Sequence, residues 1–167
     1  MSSLRLRPPR NGPDPAARRW WSAQAFLLVT GPALLTAAGL LVPAALFFPA
    51  TLPWLAPLTA GVTVVPALAY QAVMPGLRFR VHGWELGGSA VYSVTGWLWR
   101  RHRITPLSRV QTVDTAQGPI QRMFGLVTVT MTTASTASRV TVPGLTPGRA
   151  DALADAIAAA ADREDAT

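Results

Sequence analysis

The sequence has no cysteine and no lysine. The first absence excludes disulfides, thiol nucleophiles and thiolate metal sites. The second leaves arginine, planar and permanently charged, as the one strongly basic side chain. Acids are also scarce: eight Asp and Glu stand against 15 basic residues, for a formal net charge of +7. The most informative absence is local. Between Arg19 and Arg78 there is no charged residue at all. A soluble domain needs charge on its surface and rarely goes so far without it.

A chain of 167 residues, half of them hydrophobic, suits either one ordinary domain or a membrane anchor with a small domain attached. The charge gap selects the second. Positive charge flanks the gap on both sides. The arm 1–19 carries +4, the stretch 76–146 carries +6, and the end of the chain, from Pro147, carries −3.

The arm has four prolines, at 8, 9, 13 and 15, and reads as a disordered basic arm over 1–19. Residues 20–75 hold two apolar segments, predicted as transmembrane helices over about 22–48 and 52–74. At ~1.5 Å per residue each exceeds the ~30 Å hydrocarbon core. Pro49 and Pro53 mark the turn between them. Trp20 and Trp21 suit the interface, where amphipathic rings collect. Arginines precede the first span and follow the second, and the connecting turn has none. The positive-inside rule then places both termini in the cytoplasm. A cleaved signal peptide is the rival reading of the first span, and the second span that follows at once argues against it.

After Pro75-Gly76 the apolar period becomes two. Strands are predicted over Leu77–Val81, Ala90–Val94, Trp97–Ile104, Val110–Thr115, Val127–Met131 and Val140–Val142, with a polar turn over Ala134–Ser138. Thr146 and Pro147 open a final helix as N-cap and first residue. Ala150, Leu153, Ala154 and Ile157 give that helix an apolar stripe that closes the β-rich domain. Residues 162–167 read as an acidic tail.

Catalytic chemistry finds little support here. His82 and His102 lack metal-ligand spacing and read as ordinary strand residues. Nothing pairs Glu85 with Asp114 as acid and base. There is no phosphate-cradling glycine loop and no nucleophile elbow around Ser108. No catalytic, metal-binding or cofactor-binding residue is assigned, and the chain is expected not to be an enzyme.

Two runs stand out: Ile104-Thr105-Pro106-Leu107-Ser108-Arg109-Val110-Gln111-Thr112-Val113-Asp114, and Gly118-Pro119-Ile120-Gln121-Arg122-Met123-Phe124-Gly125-Leu126. Val140-Thr141-Val142-Pro143-Gly144-Leu145 and an alanine-rich helix follow. This order resembles the pleckstrin-homology-like domain of YdbS-type bacterial membrane proteins, over roughly Leu77 to Ala161. The resemblance implies a strongly bent antiparallel sheet closed by a C-terminal helix, here over 76–161, in a multi-pass protein of the bacterial cytoplasmic membrane. It implies no catalytic residue.

On this basis the chain is expected to be a non-enzymatic binding or assembly module. Its partners would be the bilayer and a membrane or cytosolic protein, a second copy of the chain included. The alternative is an anionic-lipid sensor, in which Arg78, Arg80, Arg100, Arg101 and Arg103 form a positive rim. Basic groups beside an anionic leaflet gain about 1 kcal/mol each. Arg109, Asp114 and Arg122 lie in the quoted runs and read as structural, with Arg122 reaching Asp114 to lock the turn 117–124 onto the sheet. Nucleic acid is not expected as a partner, because the arginines are few and no aromatic platform accompanies them.

Overall fold

The computed structural model describes residues 9–88, 90–96, 99–133 and 139–165, with side chains as far as Ala160. Two units are present. Residues 19–76 form one, and the arm up to Arg18 together with the chain from Leu77 forms the other.

The first unit is a helical hairpin. Helix α1 spans Ala16–Phe47 and helix α2 spans Pro49–Val81, and both are apolar and long enough to cross a membrane. Large apolar side chains such as Leu28, Leu35, Leu46, Phe47 and Val62 lie exposed on them. Small residues are buried instead: Thr30, Ala37, Ala44, Thr59 and Ala67. Helices that pair in lipid gain from such residues, because their backbones can approach closely. Gln71 donates from Nε2 to the Ser22 carbonyl at 3.1 Å, and its Oε1 accepts from the Thr30 hydroxyl at 3.2 Å. Each helix contains one π turn, Phe26–Thr30 and Ala60–Val64. Each π turn is followed, after one intervening residue, by a proline, Pro32 and Pro66. A proline cannot donate to the carbonyl four residues back and its ring presses on it, so a locally widened turn relieves the clash.

Among the described residues the second unit holds six strands in two antiparallel sheets, in the orders β1-β2-β3 and β4-β5-β6. The strands are β1 Gly83–Leu86, β2 Ala90–Thr95, β3 Arg101–Pro106, β4 Val110–Ala116, β5 Val127–Thr133 and β6 Val140–Leu145. A short helix α3, Pro119–Met123, joins β4 to β5, and helix α4, Pro147–Asp165, ends the described chain. Period-two alternation puts Val127, Val129 and Met131 of β5 inward against Val140 and Val142 of β6. Ala150, Leu153, Ile157 and Ala160 of α4 cover them. Leu107, fully buried in the turn after β3, completes this core.

Two expectations are corrected. Leu77–Val81 is not a strand but the end of α2. Five residues with apolar side chains at the first, third and fifth positions suit a strand, yet the first and fifth also share a helix face. A long helix already formed propagates into such a stretch, and Arg78 and Arg80 in its last turn complement the dipole. The arm is not disordered over 9–15: Asn11 and Trp84 exchange backbone hydrogen bonds of 3.1 and 2.8 Å, and Asp14 N–H donates to the Gly144 carbonyl at 2.8 Å. Asp14 then starts α1, its Oδ1 accepting from Ala16 N–H at 3.0 Å. The acidic stretch from 162 is helical as far as Asp165. Within the predicted strand Trp97–Ile104, regular pairing begins only at Arg101. Trp97 and Leu98, the turn Ala134–Ser138 and arm residues 1–8 lie outside the described residues.

Leu153 and Ile157 are each 2% exposed. Leu153→Asp or Ile157→Asp places an unpaired charge in the core, at a cost of several kcal/mol. Thermal unfolding should show either variant losing the sheet signal well below the parent's transition. An unchanged transition would mean that α4 does not hold the sheets together.

Candidate functional site: a basic cleft and a polar turn

Helix α2 ends where His82 takes over the Arg78 carbonyl. That oxygen accepts from both the His82 backbone N–H, at 3.1 Å, and the ring Nδ1, at 2.8 Å. A carbonyl can only accept, so Nδ1 carries the proton. The chain then enters β1 at Gly83. A Cβ there would meet Pro9 Cγ at 2.5 Å and the Asn11 carbonyl at 3.2 Å. Glycine is therefore what lets the arm lie along the edge of β1.

Between the arm, the last turn of α2 and the face of β2 and β3 lies an open cleft of about 510 Å³. Arg80 and His82 enter it from the helix end, Tyr92 and Val94 from β2, Arg100 and His102 from the β3 side, and Asn11 and Gly12 from the arm. None of the described residues lining it is acidic. Glu85, on neighbouring β1, is held by Arg10 at 3.5 Å. Arg80 and Arg100 are exposed and make no ion pair among the described residues. Tyr92 Oη and His102 Nδ1 are 2.7 Å apart, with the rings stacked at a 6.1 Å centroid distance. His82 is buried, and burial holds its pKa below the ordinary imidazole value; the nearby Arg78 charge adds to this and the Arg78 carbonyl opposes it.

The five candidate rim arginines do not form one patch. Arg80 and Arg100 share the cleft. Arg78 sits in the same last turn of α2, half-buried. Arg101 is exposed opposite Thr95, and Arg103 donates to the Arg139 carbonyl. His82, Tyr92 and His102 went unrecognised as site residues. One signal could have found the histidines: Arg-x-His occurs as Arg80-Val81-His82 and as Arg100-Arg101-His102, and all four basic residues line the cleft.

The turn after β4 is locked, but not by the expected pair. Arg122 and Asp114 are both exposed and form no ion pair among the described residues. Arg109 is exposed too, in the turn that buries Leu107. The lock is Gln121. Its Oε1 accepts from Gly118 N–H at 2.9 Å, and its Nε2 donates to the Thr128 hydroxyl at 2.7 Å. Leu126 N–H returns to the Gln121 carbonyl and Gly125 N–H to the Arg122 carbonyl. That is a Schellman ending, with Gly125 at φ +62°. The runs quoted from the sequence thus act through Leu107, Gln121, Gly125 and Leu126.

A family model described as "Bacterial PH domain" matches residues 25–161. The chain belongs to the bacterial PH domain family. It is also similar to the UPF0699 transmembrane protein YdbS of Bacillus subtilis (strain 168), with 30% identity over 104 residues. That stretch is 62% of this chain and 64% of the relative, so the chain covers less than two thirds of the relative's length. No solved structure matches the chain. The two three-stranded antiparallel sheets and the C-terminal helix fit the fold of a PH domain, and the two long apolar helices together with the transmembrane relative make the chain a membrane protein.

Two outcomes are expected of this PH domain. Gln121→Ala leaves the Gly118 N–H and the Thr128 hydroxyl without their partner and should cost about 1–3 kcal/mol. Arg122→Ala should stay within about 0.5 kcal/mol of the parent. Chemical denaturation of both variants decides it; equal losses would restore the arginine as the lock. The second outcome concerns acid. Unfolded His82 protonates near the ordinary value of about 6.5, and the folded group does so only at lower pH. The unfolded chain therefore binds more protons in that window, and stability falls as pH drops through about 6.5 towards the folded pKa. Melting temperatures across this range should fall less steeply for His82→Gln than for the parent. Parallel curves would dismiss His82 as the acid-sensitive group.

Proposed function

We propose that this protein is a non-enzymatic binding module, held at the cytosolic face of the bacterial cytoplasmic membrane by a two-span anchor. The observation that carries this reading is the cleft. Its ionisable groups are arginine, histidine and tyrosine, with no carboxylate among the described lining residues to serve as a base partner. Such a set suits recognition better than proton transfer between paired acid and base. Glu85 and Asp114 stand on strands of different sheets.

The orientation rests on arginine placement. Five arginines precede residue 20, two more fall at 78 and 80, and the turn around Pro49–Thr51 is uncharged. The positive-inside rule puts both ends in the cytoplasm. The bilayer is then one partner, and the ligand of the cleft is another. A protein partner, or a second copy of the chain, would have the outer edge of β4 available, since that strand ends its sheet.

A reporter that fluoresces only in the cytoplasm, fused to either end, should be bright in both positions. A second reporter, active only outside the cytoplasm, should be silent in both. A C-terminal fusion that is dark with the first and active with the second would place the PH domain outside and remove this reading.

A further inference from the structure

The cleft is specific enough in its chemistry to name a ligand class, given that the protein is a binding module. Arg80 and Arg100 come from segments 20 residues apart in sequence and meet at one opening. Each guanidinium offers a planar fork of donors that suits phosphate oxygens better than a point charge does. Among the described lining residues no carboxylate competes for them.

The ring pair adds direction. In its neutral form the Tyr92–His102 pair holds two protons on oxygen and nitrogen, one of which lies between Oη and Nδ1. If Tyr92 donates that proton, Nε2 of His102 carries the other. If Nδ1 donates, the Tyr92 hydroxyl proton is left. Either tautomer leaves one donor for a third group. Both residues line the cleft. Two cations and a neutral donor from three points suit an anion with three outward oxygens and nearly two charges. A phosphate monoester has both, whereas a carboxylate has two oxygens and one charge.

We infer that the cleft between the arm, the end of α2 and the β2–β3 face binds a phosphate monoester, through Arg80, Arg100 and the Tyr92–His102 pair. The group can come from a lipid headgroup or from a soluble phosphate ester. Arg80, in the last turn of a membrane-length helix, fits the lipid source.

The test uses the full chain in nanodiscs. One arm adds inorganic phosphate to phosphatidylcholine discs. A second compares discs doped with phosphatidic acid, a monoester, and with phosphatidylglycerol, a diester. Phosphorus NMR and the His102 imidazole resonances report occupancy. Arg80→Gln and Arg100→Gln should each weaken binding about tenfold or more, as loss of a charged hydrogen bond predicts. Arg101→Gln removes the same charge outside the cleft and should stay within about twofold. Tyr92→Phe combined with His102→Phe removes the neutral donor without removing an arginine and should also weaken binding. A response to phosphatidic acid alone supports a lipid ligand; a response to inorganic phosphate supports a soluble one. Silence from both probes overturns the inference. So does equal weakening by Arg101→Gln and Arg100→Gln, or equal binding of monoester and diester lipid. These results leave the topology reporters unaffected, so the inference can fail while the module reading stands, and the reverse.

Discussion

Asn11 and Trp84 exchange both of their backbone hydrogen bonds, and three residues later Asp14 donates to Gly144. Trp84 belongs to β1 and Gly144 to β6, one end strand of each sheet. One short piece of arm therefore bonds to the free edges of both. An unpaired edge exposes a row of donors and acceptors that invites association, and here the β1 and β6 edges each have a local partner. The same piece forms one wall of the basic cleft, through Pro9, Asn11 and Gly12. Arg149 of α4 reinforces it by donating to the Gly12 carbonyl at 3.2 Å. The contact tolerates little change, because Gly83 lies where any Cβ would strike Pro9.

The cleft follows from the way α2 ends. Were Leu77–Val81 a strand, Arg80 would project with a period of two and His82 would have no Arg78 carbonyl to cap. As a helix end, the segment places Arg80 and His82 at the cleft together, while Arg78 supplies the capping oxygen. The burial that shields His82 disfavours its charged form. The arginines therefore supply the permanent charge of the cleft, and the exposure of Arg80 and Arg100 keeps that charge affordable in solvent.

The sequence made the architecture readable wherever a single period ran long enough. Val127–Met131 alternates over five residues and forms β5, and the stripe from Ala150 to Ile157 forms the buried face of α4. It was unreadable where the deciding contact is distant. The arm looked disordered because its prolines and arginines carry no period, and its order comes from Trp84 and Gly144, far along the chain. Arg122 drew attention as a charge in a tight turn, while neutral Gln121 beside it makes the bonds. A charge is visible in a sequence; burial, which makes a polar group matter, is not. The cleft was half visible for the same reason: Arg80 and Arg100 were singled out as charges, and the ring residues that complete the set come together only through sheet pairing.

Burial decides the polar residues of the helical unit as well. Thr30 and Gln71 interrupt apolar runs, and in hydrocarbon an unpaired polar group costs several kcal/mol. Gln71 meets that cost by bonding to α1 twice, to the Ser22 carbonyl and the Thr30 hydroxyl. Those two residues lie eight positions apart, a little over two turns, so one side chain fixes both the rotation and the vertical register of α2 against α1. Packing of small residues alone would leave that register poorly specified, since alanines at a seam slide past one another at little cost. The three polar groups therefore define how the two helices pair, and the prolines with their paired π turns are accommodated around that fixed point.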